Sequence, residues 1–265
     1  MRHGKTNNDL VIAFDGVKYY VKSKWITALN GVSMSLLSKA TSGIIHTPMM
    51  YVIFGPPGVG KTSFAASFPS PLVADIENGS DRIKNATRLG ADQLPDFTSL
   101  LALVNELLTT AHSYKTLIID SVTALEKYVE AAVLVDEKVT SIKDVPWGGG
   151  DVKVREKLQT LVAKTKELQT KKGMEVIYVA HTQVKPFTDP HLNATYDRNV
   201  LQCGDKFSHI LVSSADNVFF CKYNVSVVTE KGKSKSKSFG DGSRIMFTEQ
   251  RPSFDAFFGK DPLKN

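Results

Sequence analysis

The residues best suited to chemistry lie in one short segment, in which Gly55 is followed by four variable residues and then by Gly60, Lys61 and Thr62. Glycines let backbone N–H groups turn inward around a phosphate, and a helix that follows presents the positive end of its dipole. The lysine of such a loop reaches the β- and γ-phosphates, and the threonine hydroxyl ligates Mg²⁺. The alternative is a plain glycine-rich turn. The predicted nucleotide-binding residues are Gly55, Pro56, Pro57, Gly58, Val59, Gly60, Lys61, Thr62 and Ser63.

A phosphate loop needs an acid at the end of a second strand. Asp120 follows the apolar run Leu117–Ile119 and is the candidate. We expect Thr62 and Asp120 to hold the magnesium ion, the aspartate acting through water. The alternative role of Asp120 or Ser121, the N-cap of the next helix, is compatible with this one.

The acid that activates water must come from elsewhere, because the residue after Asp120 is Ser121 and not a glutamate. Glu77 ends a predicted strand, and the carboxyl edge of a parallel sheet is where ligands bind. Glu77 is therefore the candidate to position the attacking water. The alternatives are a surface acid at the strand end or a cap of the next helix.

Strands and helices alternate from Met49 onward, which predicts an α/β fold with a mostly parallel central sheet flanked by helices. Asp151 is the predicted cap of the longest helix. The predicted strands are Met49–Phe54, Leu72–Ile76, Thr116–Asp120 and Val176–Ala180, and the predicted helices begin near Lys61 and span Leu100–His112, Val122–Val135 and Asp151–Thr170.

The last part of the core shows a different pattern. Thr182–Asp205 is predicted as a long loop, and loops of that length are usually functional or disordered. Antiparallel hairpin strands follow, at Asn217–Cys221, Ser226–Thr229 and Arg244–Thr248, with the lysine run Lys231–Lys237 at an exposed tip.

Three regions are predicted: an appendage at 1–48, a core at 49–250 and a tail at 251–265. In the appendage, Leu10–Phe14 and Val17–Val21 flank Asp15-Gly16, a hairpin signal, and an amphipathic stretch follows at Lys24–Lys39. The aromatic tail is either a docking peptide for a partner or a C-terminal strand packed on its own core.

Composition narrows the class of protein. The 33 basic and 27 acidic residues give a net charge of +6, which slightly favours a polyanionic partner. Two cysteines are too few for a disulfide framework. Because no apolar run approaches the roughly 20 residues of a membrane span and the N-terminus lacks a signal sequence, we expect a cytoplasmic protein without a membrane partner.

Three segments resemble RecA and RadA recombinases. Asp75–Glu77 through Arg88–Asp92 is similar to the stretch bearing the RecA catalytic glutamate, Ile118–Leu125 to the second motif, and His181–Val184 to the element that opens the second DNA-binding loop. The resemblance implies a RecA-like core that uses ATP and Mg²⁺, with Glu77 as the catalytic acid. It also implies that Gln183, with His181 as a neighbour, senses the γ-phosphate and couples it to DNA.

The compact size and the Trp147 loop most resemble phage single-strand annealing (Sak-type) ATPases. The implied function is annealing or recombination on single-stranded DNA by a homo-oligomer, a filament or ring, in a bacterial host cell, with a single-strand-binding protein as a further partner. DNA would meet the loops Asp136–Gly150 and Val184–Asp205. The DNA-contact candidates are Lys185, Phe187, His191, Tyr196 and Arg198, and the candidates to act in trans on a neighbour's phosphates are Lys222, Lys233 and Arg244.

Some features depart from these families, and two other functions stay open. Asn85 stands where RecA has a tyrosine that stacks on adenine, which leaves the nucleotide base undetermined. A RecA-fold helicase or motor is one alternative, although Ser121 argues against the AAA type. A small-molecule phosphotransferase is the other, but it needs an arginine-rich lid, and only Arg82 and Arg88 are near.

Overall fold

The structure is a computed structural model that describes residues 10–14, 17–21, 47–80, 83, 86–189, 193–229 and 236–259. The chain divides into two units, residues 1–46 and 47–265. In the first unit, β1 (Leu10–Phe14) and β2 (Val17–Val21) pair antiparallel, with Phe14 opposite Val17. The Asp15-Gly16 turn and the Lys24–Lys39 stretch lie outside the described residues.

Within the described part of the second unit, a sheet of nine strands forms the centre. The main path runs in the order β10-β9-β3-β7-β6-β4-β5; β8 pairs with β7, and β11 pairs with β9. The pairs from β9 to β5 are parallel, whereas β8, β10 and β11 are antiparallel to their partners. The predicted fold class, a mostly parallel α/β sheet with antiparallel C-terminal strands, is thus confirmed. The strands are β3 (Met50–Gly55), β4 (Pro71–Asp75), β5 (Thr87–Gly90), β6 (Thr116–Asp120), β7 (Glu175–Asp189), β8 (Ala194–Leu201), β9 (Asn217–Thr229), β10 (Ser236–Phe247) and β11 (Phe257–Phe258).

The helices begin where the sequence offers caps or glycines. Asp96 caps α2 by accepting a hydrogen bond from the Ser99 amide at 2.8 Å. The expectation that Asp151 caps α4 is wrong: Gly149 is the N-cap, and Asp151 lies in the first turn, where it binds Lys206 at 2.9 Å. The helices are α1 (Lys61–Ala65), α2 (Phe97–Thr109), α3 (Val122–Glu137), α4 (Gly150–Glu167) and α5 (Asp205–Ser214), and a π-helical turn, Leu168–Lys172, follows α4.

The central strands are buried on both faces, which explains their continuous apolar runs. On β3, Val52 and Phe54 belong to a large core that includes buried residues of α2, α3, α4 and α5. Ile53, between them, belongs to a smaller core on the opposite face, to which α1 contributes. Strands β3, β4 and β6 end at the same edge of the sheet, which brings the phosphate loop, Glu77 and Asp120 to one place.

Two predictions about the later part of the core are wrong. Thr182–Asp205 is not a long loop, because β7 continues to Asp189 and β8 returns beside it as an antiparallel hairpin. The two short strands expected between Asn217 and Thr229 are one continuous strand, β9.

The aromatic tail packs on its own core, as one of the two alternatives predicted. Phe254 and Ala256 are buried, and Phe257 pairs with Val218 of β9. In the part of the chain that the structure describes, no helix has both the length and the apolar character of a membrane span.

Candidate active site

The phosphate loop joins the carboxyl end of β3 to α1, which begins at Lys61. Gly60 has φ 93°, a left-handed conformation that glycine adopts without strain. Gly55 is constrained by packing, because a Cβ there would lie 2.2 Å from the carbonyl oxygen of Cys221 on β9. Both glycines are therefore required by the backbone, at the two ends of the loop.

Lys61 is buried inside this loop. Its Nζ donates hydrogen bonds to the carbonyl oxygens of Gly55 and Pro56, each at 3.0 Å. Burial lowers the pKa of the Lys61 amine, and the nearby Asp120 carboxyl opposes that shift. An ammonium group held by carbonyl oxygens in a glycine-rich loop fits the β- and γ-phosphates of a nucleotide.

Thr62 and Asp120 meet beside Lys61. Thr62 Oγ1 donates a hydrogen bond to Asp120 Oδ2 at 2.5 Å. Burial raises the pKa of Asp120, and the hydrogen bond from Thr62 opposes this change. Among the described residues, no group of three or more His, Cys, Asp or Glu side chains is arranged to hold a metal ion. A hydroxyl and a carboxylate are oxygen ligands of the kind that Mg²⁺ prefers, so Thr62 and Asp120 fit a magnesium ion whose other ligands would be nucleotide phosphates and water.

Glu77 lies across the cleft, in the turn that follows β4. Its Oε1 accepts a hydrogen bond from Ser121 Oγ at 2.5 Å, and its Oε2 lies 3.1 Å from His181 Nε2. The His181 hydrogen bond is the largest cause that lowers the pKa of Glu77; burial opposes it, and the Ser121 hydrogen bond adds to it. Glu77 is therefore ionised near neutral pH and able to accept a proton.

Asp75, which the sequence analysis did not single out, holds this turn in place. It ends β4 and is fully buried, and its carboxylate accepts hydrogen bonds from Gly79 N at 2.9 Å, Ser80 N at 2.8 Å and Ser80 Oγ at 2.6 Å. The sequence signal for this role of Asp75 is a polar residue at the end of an apolar strand, two positions before Glu77. Asp75 fixes the backbone from which Glu77 extends.

A cleft of about 330 Å³ contains these groups. The phosphate-loop residues Lys61 and Thr62 line one side, and Glu77, Asp120 and His181 line it as well. Four residues proposed from three segments of the sequence are thus brought together, and His181 joins them from a fourth segment. The arrangement offers a cation that fits a phosphate, two oxygens that fit a metal ion and an ionised acid, which are the components that nucleotide hydrolysis needs.

A comparison with protein families agrees with this geometry. A family model described as an AAA domain matches residues 47–262, which is more than half of the chain and includes the whole cleft. The chain belongs to the AAA domain family. This AAA-domain protein is accordingly a P-loop ATPase. No curated protein matches the chain.

The family assignment corrects one argument from sequence. Ser121 was expected to argue against an AAA-type protein because it replaces a glutamate beside Asp120. In this AAA-domain protein a different acid, Glu77, follows the neighbouring strand β4, and Ser121 donates a hydrogen bond to it. The residue after Asp120 therefore does not decide the family.

Gln183, the predicted sensor of the γ-phosphate, lies outside the lining of the cleft. Its side-chain amide donates to the carbonyl oxygens of Leu201 at 3.0 Å and Cys203 at 3.1 Å, across the base of the β7–β8 hairpin. His181, two residues earlier on β7, contacts Glu77 instead. In this arrangement His181 is the β7 residue that lines the cleft, and Gln183 links β7 to β8.

The four described DNA-contact candidates lie on one face of the hairpin, because Lys185 pairs with Arg198 and Phe187 with Tyr196. The Phe187 and Tyr196 rings pack edge to face with centroids 5.6 Å apart, and the Arg198 guanidinium lies 4.8 Å from the Phe187 ring. His191 lies outside the described residues. Both cations have acidic partners: Lys185 binds Asp205 at 2.7 Å, and Arg198 binds Asp255 at 2.5 Å.

The three candidates to act in trans have different surroundings. Lys233 lies outside the described residues. Lys222 extends over Phe247, with its Nζ 5.4 Å from the ring centroid. Arg244, in contrast, lies directly against the phosphate loop of its own chain, with its Nη1 2.7 Å from the place of a Cβ on Gly60.

Proposed function

We propose that this AAA-domain ATPase assembles on single-stranded DNA and promotes annealing or strand exchange in homologous recombination. The observation that carries the proposal is the course of β7, which leaves the cleft at His181 and continues without a break to the aromatic pair on the hairpin. From His181 to Phe187 the strand advances about 20 Å, at ~3.3 Å per residue. A continuous strand between the two places supports control of DNA binding by the bound nucleotide.

The hairpin borders a groove that suits unpaired bases. The groove has a volume of about 490 Å³, and its lining includes Phe187, Tyr196, Arg198 and Arg251. Phe187 is 36% exposed, so its ring is accessible although it packs against Tyr196. Stacking of a base on an aromatic side chain contributes about 1–3 kcal/mol and tolerates any sequence.

The charges in the groove favour stacking over phosphate contact. Lys185 and Arg198 are already paired with carboxylates, which reduces their attraction for phosphate. Arg251 lies 5.0 Å from the Phe247 ring and forms no ion pair within the described residues. We therefore expect a weak dependence of DNA affinity on salt, since each phosphate contact to a single strand adds a slope of only about −0.7.

The cleft supports a simple coupling between hydrolysis and DNA. Lys61 balances the negative charge of the phosphates, Thr62 and Asp120 fit the magnesium ion, and ionised Glu77 accepts the proton of the attacking water. Loss of the γ-phosphate changes the charge that faces Glu77 and His181, and β7 connects His181 to the hairpin. We expect the ATP-bound state to favour assembly on DNA and hydrolysis to release it.

The finer parts of the proposal rest on the resemblance to RecA and RadA. These are the likeness to Sak-type phage annealing proteins, the homo-oligomeric filament or ring, a single-strand-binding protein as a partner, and the cytoplasm of a bacterial host as the location. The segments that support them are Ile118–Leu125 and His181–Val184.

The test is the ATPase rate with and without single-stranded DNA, together with retention of a labelled oligonucleotide in a non-hydrolysable ATP analogue. We expect DNA to stimulate hydrolysis and the analogue to increase retention. The double variant Phe187→Ala/Tyr196→Ala should lose DNA retention by about 10-fold or more and keep the basal ATPase rate. Phe258→Ala removes an exposed aromatic ring outside the groove and is the matched control.

The outcomes separate the candidate functions. Wild-type protein that shows neither stimulation nor retention contradicts the proposal. ATP-dependent unwinding of a duplex favours the helicase, and a phosphorylated metabolite favours the phosphotransferase. The structure offers the phosphotransferase little support, since Arg88 donates a hydrogen bond to the carbonyl oxygen of Ile83 at 2.6 Å and is absent from the lining of the cleft.

A further inference from the structure

Two side chains of the β9–β10 hairpin lie against the phosphate loop. Arg244 Nη1 is 2.7 Å from the place that a Cβ on Gly60 would occupy, and the Tyr223 hydroxyl is 3.2 Å from the corresponding place on Gly58. Both glycines belong to the phosphate-binding motif. A guanidinium group therefore lies at van der Waals distance from the segment of backbone that surrounds the phosphates.

Strand pairing fixes this position. Arg244 pairs with Tyr223 across the β9–β10 ladder, and β9 pairs in parallel with β3, the strand that ends in the phosphate loop. A bulge between Gly240 and Arg244 shifts the register of β10 immediately before the arginine. Bulges commonly redirect a side chain near a functional site. Lys222, another cation of this hairpin, lies next to Phe247 instead.

The arginine has no acidic partner. Arg244 is exposed, and within the described part of the chain it forms no ion pair or hydrogen bond through its side chain. Its guanidinium lies next to Gly60, and the Tyr223 side chain of the paired strand lies next to Gly58 of the same loop. The buried Lys61 ammonium of the same loop likewise binds backbone carbonyls only. Two cations beside one glycine-rich loop, neither paired with a carboxylate, are arranged for an anion with several negative charges.

We propose that Arg244 binds the phosphates of the nucleotide held in the loop of its own subunit, and that this hairpin acts in cis. The inference depends on the proposed function for one point only, that the ligand is a nucleoside triphosphate. It revises the expectation that a basic residue of this region acts on the phosphates of a neighbouring subunit. Each subunit then carries a complete phosphate site, and assembly on DNA is not needed to complete it.

The first experiment measures the affinity of the purified chain for a fluorescent, non-hydrolysable ATP analogue without DNA. Arg244→Ala should weaken binding by about 10-fold to 100-fold, the range for loss of a hydrogen bond between charged groups. Arg244→Lys keeps the charge and loses the forked geometry, so its affinity should be intermediate. Arg155→Ala is the matched control, because the Arg155 side chain donates a hydrogen bond within α4, to the carbonyl oxygen of Asp151 at 3.4 Å. Equal affinity of Arg244→Ala and wild type overturns the inference.

The second experiment separates action in cis from action in trans. The affinity of Arg244→Ala for the analogue is measured again with an excess of Lys61→Ala, which has Arg244 but no lysine for its own loop. If Arg244 acts in cis, the added chain changes nothing. Recovery of tight binding shows that a neighbour supplies the arginine and overturns the inference. Both measurements use nucleotide alone, so their failure is distinct from a failure of DNA binding, which contradicts only the proposed function.

Discussion

Replacement of Glu77 by glutamine tests the chemistry of the cleft most directly. Glutamine keeps the size of the side chain and hydrogen-bonding atoms opposite Ser121 and His181, but it removes the basic carboxylate. A positioned general base contributes about 10²–10⁴-fold to a rate. At ~1.36 kcal/mol for each factor of ten, the loss corresponds to about 2.7–5.4 kcal/mol of activation free energy. Because Glu77 is 31% exposed and forms no hydrogen bond to the phosphate loop, we expect nucleotide affinity to stay unchanged.

The assay measures kcat from phosphate release at saturating ATP and Mg²⁺, and affinity from a fluorescent ATP analogue. Glu106→Gln, on the exposed side of α2, is the matched control and should behave as wild type. Turnover of Glu77→Gln close to that of wild type would remove Glu77 from the mechanism. A parallel loss of affinity would show instead that its contacts with Ser121 and His181 maintain the shape of the cleft.

Three further variants test the remaining groups. Lys61→Ala should abolish the rise in Tm that ATP causes, which corresponds to a stabilisation of about 2.7 kcal/mol at an ATP concentration of 100 times Kd. Without nucleotide the Tm of this variant should be no lower than that of wild type, because the substitution removes a buried charge. His181→Ala removes the largest cause of the low pKa of Glu77, so the pKa of Glu77 should rise. Because Glu77 is active in its ionised form, the acidic limb of the pH–rate profile should move to higher pH. Asp75→Ala leaves three donors in the turn without an acceptor and should lower the free energy of unfolding in urea by about 1–3 kcal/mol. An unshifted profile or an unchanged unfolding midpoint would contradict these assignments.

The parts of the fold that sequence predicts well are local. The run Thr116–Asp120 is buried at every position, and its predicted bounds coincide with β6 because a short apolar segment between polar residues has few other places in an α/β fold. The phosphate loop combines glycines, a lysine and a threonine at fixed spacing between a strand and a helix. The carboxyl-edge rule then brings Asp120 and Glu77 to that loop without any knowledge of the strand order.

The β7–β8 hairpin was missed because its residues are mostly partly exposed. Without a buried face, the alternation that marks a strand is weak, and Pro186 within the segment lowers the strand propensity further. Its stability comes from cross-strand pairs, such as Phe187 with Tyr196, that no single segment reveals. The sequence likewise does not show whether His181 or Gln183 reaches Glu77, because this depends on where β8 joins β7.

The position of Arg244 could not be predicted from the sequence either, because it depends on residues that are still farther apart. Arg244 is about 180 residues from Gly60 in sequence, and its place beside the loop depends on the order β10-β9-β3 and on the bulge before it. A basic residue in the right region was predictable from resemblance. The identity of that basic residue, and the subunit on whose loop it acts, depend on the geometry of the sheet.

A Cβ on Gly55 would lie 2.2 Å from the carbonyl oxygen of Cys221. Variants of the phosphate loop can therefore lose nucleotide binding in two ways, by misfolding or by loss of a contact with the ligand. Any substitution of Gly55 forces β9 away from β3 at the centre of the sheet. A library of random variants selected for lost nucleotide binding should therefore contain Gly55 substitutions mainly in the insoluble fraction of cell lysates and Lys61 substitutions mainly in the soluble fraction. The first glycine of the motif is thus a requirement of folding, and its lysine is a requirement of ligand binding.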